Sequence, residues 1–129
     1  MLTQPTAIDP EGMQRSAAFA HGMVAPAGPT LYIGGQNGVD GSGRMLEGLA
    51  AQTQQALRNV LAVLEAAGSG PDFVVKLTIY LAPGVDVNEA YAAAGGVWGA
   101  RRTSVTVLSV APAKPGALVE IDAIAAAPS

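Results

Sequence analysis

Apolar and polar positions change period several times along this chain, and each change predicts an element. Leu49, Thr53, Ala56, Leu57, Val60, Leu61 and Leu64 recur every three or four residues, which is one face of a helix. Gln52, Gln55, Arg58, Asn59 and Glu65 fall mostly on its other face. Ala66-Ala67-Gly68 and then Gly70-Pro71 end that helix, since glycine caps and proline cannot continue. The period then shortens to two. From Asp72 to Leu81, Phe73, Val75, Leu77, Ile79 and Leu81 share one side, and Val74, Lys76, Thr78 and Tyr80 the other, as in a strand. Asp86 to Trp98 reads as a second helix with Asp86 as its N-cap, weakened by Gly95-Gly96. Arg101 to Val110 alternates again, with Arg102, Ser104 and Thr106 opposite Thr103, Val105 and Val107. After Pro112 and Pro115-Gly116, Leu118 to Ala125 forms a last strand that puts Leu118, Glu120, Asp122 and Ile124 together. Near the start, Ser16 to Pro26 and Thr30 to Ile33 predict two further strands, whereas residues 1–15 carry Pro5, Pro10 and Gly12 without any period and read as an irregular lead-in.

Strands, helix, strand, helix and two strands, in that order, predict an α+β domain: a mixed sheet with both helices on one face. With 129 residues and no repeat or linker, residues 1–129 form one domain.

Composition adds an expectation of self-association. Half the residues are apolar and only 13% are charged, against roughly 25% in an average globular chain. A small chain so poor in charge leaves apolar surface uncovered when alone, and such surface usually marks subunit contacts. The net charge of −3 and the lack of any basic stripe beyond Arg101-Arg102 argue against nucleic acid as a partner. No apolar run approaches the roughly 18 residues of a membrane span. Met1 to Pro5 shows no basic and apolar leader, so a cytoplasmic location is expected. The absence of cysteine excludes disulfides, thiolate nucleophiles and sulfur-bound metal.

Few residues are left to carry chemistry. His21 is the only histidine and is more simply a structural or surface residue; no nucleophile elbow, phosphate loop or clustered metal ligands accompany it. Arg102 opens a strand after an apolar helix end, and an arginine fork suits a carboxylate. Glu120 and Asp122, two apart on a strand, point to the same side and must be solvated, paired or lining a cleft. If their strands were antiparallel neighbours, Arg102 would face the carboxylate pair. A substrate clamp and a structural salt bridge explain these residues equally well.

Five segments in order resemble the RidA/YjgF family of enamine and imine deaminases, whose older label is L-PSP endoribonuclease. They are Leu31-Tyr32-Ile33-Gly34-Gly35-Gln36; Gln52 to Asn59 with Leu64-Glu65-Ala66-Ala67-Gly68; Val74 to Leu81; Arg102 to Val107; and Leu118 to Ala125. The likeness runs from about Phe19 to Ala125. It implies a chorismate-mutase-like subunit in a homotrimer with clefts between subunits, which hydrolyses 2-imino acids to 2-keto acids and ammonia without metal or cofactor. It puts the carboxylate clamp on Arg102 and the water-positioning carboxylate on Asp122. Gly35, Ser104, Phe19 and Asn88 become substrate-binding candidates, and His21 a residue at the cleft mouth. The chain departs from the pattern at Phe19, where tyrosine is frequent, at Gly34 for serine, at Ser104 for cysteine, and at Asp122 for glutamate. A regulatory trimer that binds small carboxylates without turnover is the alternative implied, and a ribonuclease the lesser one.

Overall fold

The computed structural model describes residues 2–129. Its elements are β1 (Thr6–Ile8), β2 (Gly22–Val24), β3 (Thr30–Asn37), α1 (Leu49–Ala66), β4 (Val74–Leu81), α2 (Val87–Trp98), β5 (Ser104–Ser109) and β6 (Val119–Ala126), with a 3-10 turn over Pro71–Phe73. The main sheet has the order β3-β6-β4-β5. β4 and β5 are parallel and the other pairs antiparallel. A parallel pair needs a crossover, which α2 supplies.

Both helices pack on one face of this mixed sheet, as the pattern predicts. Val119, Ile121, Ala123 and Ala125 of β6 are buried there against Ala56, Leu57, Val60 and Leu64 of α1. Each large side chain so buried contributes roughly 1.5–3 kcal/mol of transfer free energy. α1 ends as its sequence requires. Gly68 takes φ +74°, its N–H donates to Glu65 O, and Ser69 N–H donates to Leu64 O at 2.9 Å, which completes a Schellman motif. At α2, the Asp86 side chain accepts from Asn88 N–H at 2.9 Å, as an N-cap should.

Four expectations are corrected. The lead-in is not irregular throughout, because β1 pairs antiparallel with β2, Thr6 opposite Val24, in a small second sheet. The strand expected over 16–26 shrinks to those three residues of β2. Val74 lies buried on the core side with Leu77 and Leu81 instead of beside Lys76, since an irregularity between Val74 and Lys76 shifts the β4–β6 register. Gln52, assigned to the polar side of α1, is 2% exposed. Its Nε2 donates to the carbonyls of Leu46 and Gly116, and its Oε1 accepts from Leu118 N–H at 2.8 Å. A buried amide is stable only when so satisfied, and here it ties two loops to the helix.

Candidate functional site

The sheet face away from the helices carries the polar residues. β6 contributes Glu120 and Asp122, β4 Lys76, Thr78 and Tyr80, and β5 Ser104 and Thr106, all half-buried. Thr78 is the partner of both Asp122 and Thr106, so these three form one row across the sheet; Tyr80 and Asn37 flank Glu120 in another. Strand alternation puts each of these side chains on this face, because their neighbours in sequence are the core residues, and the strand order and register bring them together.

The two carboxylates have different surroundings. Asp122 Oδ2 accepts from the Tyr80 hydroxyl at 2.9 Å. That bond, with the loss of solvent and the charges of Asp122 and Glu120, pushes the Tyr80 phenol up from its ordinary value. Glu120 receives only a long contact of 3.4 Å from Asn37 Nδ2 and lies directly against Gly35, where any side chain would collide with its carboxylate. The register of β3 against β6 slips between Ile33 and Gln36, so Gly34 and Gly35 together stand opposite Asp122. Such a bulge bends the strand and re-aims the residues beside it. Gly35 thus meets Glu120, not the Asp122 to which the water-positioning role was assigned; the fit of a glycine to its neighbour is invisible without the register.

Arg102 is not beside the carboxylates. β5 borders β4 alone, so a full strand separates it from β6, and the condition under which Arg102 would face the carboxylate pair is not met within one chain. From the register and the usual strand spacings, Arg102 lies on the order of 15 Å from Asp122 within one chain. Its guanidinium is held by the N-terminal segment. Nη2 lies 2.9 Å from both oxygens of Asp9 and donates to Phe19 O at 2.9 Å, while Nε donates to Ser16 O at 3.0 Å. The hydrogen bond from Arg102 is the main reason the Asp9 carboxyl lies below its usual range. Nη1 has no partner among the described residues. Asp9 was missed by the sequence reading because it lies in the stretch taken as irregular.

Phe19 sits half-buried, forms a parallel bridge with Thr103, and stacks its ring 5.5 Å from that of Tyr91. Ser104 gives its hydroxyl to Val75 O. Asn88 is exposed at the start of α2, and His21 Nε2 contacts Gln14 O at 2.7 Å. Among the described residues no three His, Asp or Glu gather as a metal site, and no helix is long and apolar enough to cross a membrane.

The topology, with both helices on one face of a four-stranded mixed sheet and carboxylates on the other, defines a class of small α+β subunits. The comparisons agree. The model of the endoribonuclease L-PSP family matches residues 11–127. Human 2-iminobutanoate/2-iminopropanoate deaminase is 33% identical over 118 residues, covering 85% of this chain and 86% of the relative. A RutC family protein of Pyrococcus horikoshii is 36% identical, covering 81% and 85%. A crystal structure of a Rid family protein of unknown function from Yersinia pestis superposes with a TM-score of 0.84 at 34% identity, covering 96% and 99%. The chain belongs to the endoribonuclease L-PSP family, whose members carry the Rid and RutC names.

Proposed function

We propose that the protein is a cofactor-free hydrolase that converts 2-imino acids to 2-keto acids and ammonia, with its sites formed between subunits of a homotrimer. The observation that carries this reading is the pairing of a lightly held carboxylate, Glu120, with the bulged backbone at Gly35. Water adds to the imine carbon as Glu120 takes its proton and passes it to nitrogen, forming the carbinolamine; Glu120 then takes the hydroxyl proton and delivers it to nitrogen as the C–N bond breaks, which forms the ketone and releases ammonia. Asp122, already engaged by Tyr80, supports the charge balance of the face. Arg102 holds the substrate carboxylate, and its grip on Asp9 supports its fitness for that group. Phe19, Ser104 and Asn88 would line the cleft.

The distance of Arg102 from the carboxylates, on the order of 15 Å or more in one chain, exceeds the reach of a small imino acid. Arg102 of one copy and Glu120 of another must therefore meet. Exposed Tyr32, at 74%, and Leu108, at 46%, on the uncovered sheet face supply apolar surface for that contact. The names of the deaminase relatives support the reaction class. A second reading, carboxylate binding without turnover, is favoured by Asp9, which already occupies part of the clamp. A ribonuclease finds no acid–base histidine on this face, because His21 is tied to Gln14 O.

The test is an imino-acid assay: an amino-acid oxidase generates 2-iminobutanoate, and semicarbazide traps what the protein has not hydrolysed. The wild type suppresses trapping and Arg102→Ala, shown to be folded by circular dichroism, does not. If wild-type protein leaves trapping at the buffer rate while 2-ketobutanoate raises its melting temperature, hydrolysis is refuted and binding takes its place.

A further inference from the structure

A polar recess of about 380 Å³ lies between residues 35–37 of β3, the loop at 39–41, Asn59 of α1 and Lys114 of the loop before β6. Its wall adjoins the candidate site. Gly35 lies against the Glu120 carboxylate, and Asn37 Nδ2 makes the 3.4 Å contact with Glu120 Oε1. A substrate whose imine carbon sits at Glu120 therefore has this recess beside it for its side chain.

The amide donors of the wall are engaged within the protein. Asn59 Nδ2 donates to Asn37 O at 3.1 Å and to Val39 O at 3.0 Å, and its Oδ1 accepts from Gln55 at 2.9 Å. Asn37 Nδ2 also reaches Val119 O at 3.2 Å, and Gln36 Nε2 donates to Gly34 O at 3.1 Å. These bonds fix the wall in place before any ligand arrives. Lys114 differs: it is exposed and its ammonium makes no ion pair among the described residues. Opposite in charge is Asp40. Its Oδ1 accepts from Ser42 N–H at 2.9 Å, Ser42 Oγ at 2.7 Å and Arg44 N–H at 3.1 Å, which leaves Oδ2 open.

One cation and one anion on the same recess give it no surplus charge with which to select a carboxylate or an ammonium group. A primary carboxamide fits both, because its oxygen accepts from Lys114 while its NH2 donates to Asp40 or to Gln36 Oε1. We propose that Lys114 is a specificity-determining residue and that the preferred substrates are imino acids whose side chain ends in a carboxamide. The inference rests on the reading that places the reacting carbon at Glu120, and it assigns the side chain. A site built to hydrogen-bond a polar group rejects the analogue that lacks it.

Three acids of nearly equal length separate these chemistries without turnover: glutaramate, which ends in a carboxamide, glutarate and pentanoate. Calorimetric titration of the full chain is expected to show glutaramate binding about fivefold tighter than either, the effect of one hydrogen bond. Lys114→Met keeps the length of the side chain and removes the ammonium, so the advantage over pentanoate should largely disappear. Asp40→Asn keeps an oxygen for the turn and leaves Lys114 unopposed, so glutarate should gain on glutaramate; a merely structural Asp40 would weaken all three alike. The proposal is overturned if none of the acids binds, if glutarate or pentanoate binds wild type at least as tightly as glutaramate, or if Lys114→Met leaves their ratio unchanged. Hydrolysis of 2-iminobutanoate is measured on the same preparation. Its absence, with the binding preferences intact, refutes the hydrolase and supports the recess.

Discussion

Replacing Gly35 with alanine puts a methyl group where the Glu120 carboxylate now lies. The added Cβ overlaps Oε2 so far that the carboxylate must retreat by about 1 Å before the pair reaches ordinary contact. Gly35 does not have a positive φ, so the backbone itself accepts alanine. Restricting the unfolded chain contributes about 0.4–1 kcal/mol in favour of the variant, and the displaced carboxylate offsets part of it by losing the Asn37 contact. Stability should then change by no more than about 1 kcal/mol, or about 4 °C in melting temperature for a chain of this size. Turnover should respond very differently. A displacement of about 1 Å in a group that positions water costs on the order of 10²-fold in rate, close to 3 kcal/mol of barrier. Calorimetry and the imino-acid assay on one preparation separate the two effects. Glu120→Asp draws the carboxylate back by one methylene, away from the position of the worst overlap, so its combination with Gly35→Ala should relieve part of the strain the alanine introduces, and a double-mutant cycle measures that coupling. A Gly35→Ala enzyme with kcat within threefold of wild type would refute the reasoning, because Glu120 would then not be the group that holds water.

The two carboxylates can be told apart directly: Glu120→Gln should lower kcat by about 10²-fold or more, the usual worth of a general base, and Asp122→Asn by much less, as measured by ammonia release. Gln52→Leu keeps the volume but strips partners from Leu46 O, Gly116 O and Leu118 N; at about 1 kcal/mol each, calorimetry should show a loss of about 3 kcal/mol, and a loss below about 0.5 kcal/mol contradicts the tie. Asp9 has its carboxyl depressed by Arg102, so its contribution to stability is present above the unfolded value of about 4 and disappears as pH falls through the folded value. Acid titration of the melting temperature should accordingly fall more steeply below pH ~4 in wild type than in Asp9→Asn, and parallel curves count against the ion pair. The same variant frees the clamp, so its KM for 2-iminobutanoate should drop; an unchanged KM means that Asp9 and substrate do not compete.

The local pattern decided most of the architecture. The apolar spacing from Leu49 to Leu64 and the capping residues Asp86 and Gly68 act within one or two turns, and the helices begin and end near where those residues stand. Alternation in Leu118–Ala125 determined that Glu120 and Asp122 share a side, since a strand has a period of two wherever it is placed. The family was legible for the same reason, through five short segments in order.

What alternation cannot state is which strand lies next to which. The order β3-β6-β4-β5 follows from burying both helices on one face and from the α2 crossover, and it is what separates Arg102 from the carboxylates. Bulges also lie beyond pattern reading, because one extra residue in a strand changes no residue type; two of them moved Val74 into the core and set Gly34 and Gly35 opposite Asp122. Asp9 pairs with a residue 93 positions away, and Gln52 turned inward to serve loops at residues 46 and 116–118. In each case a polar group's partner is set by three-dimensional proximity, which the packing of the whole chain supplies and the spacing of residues along it does not.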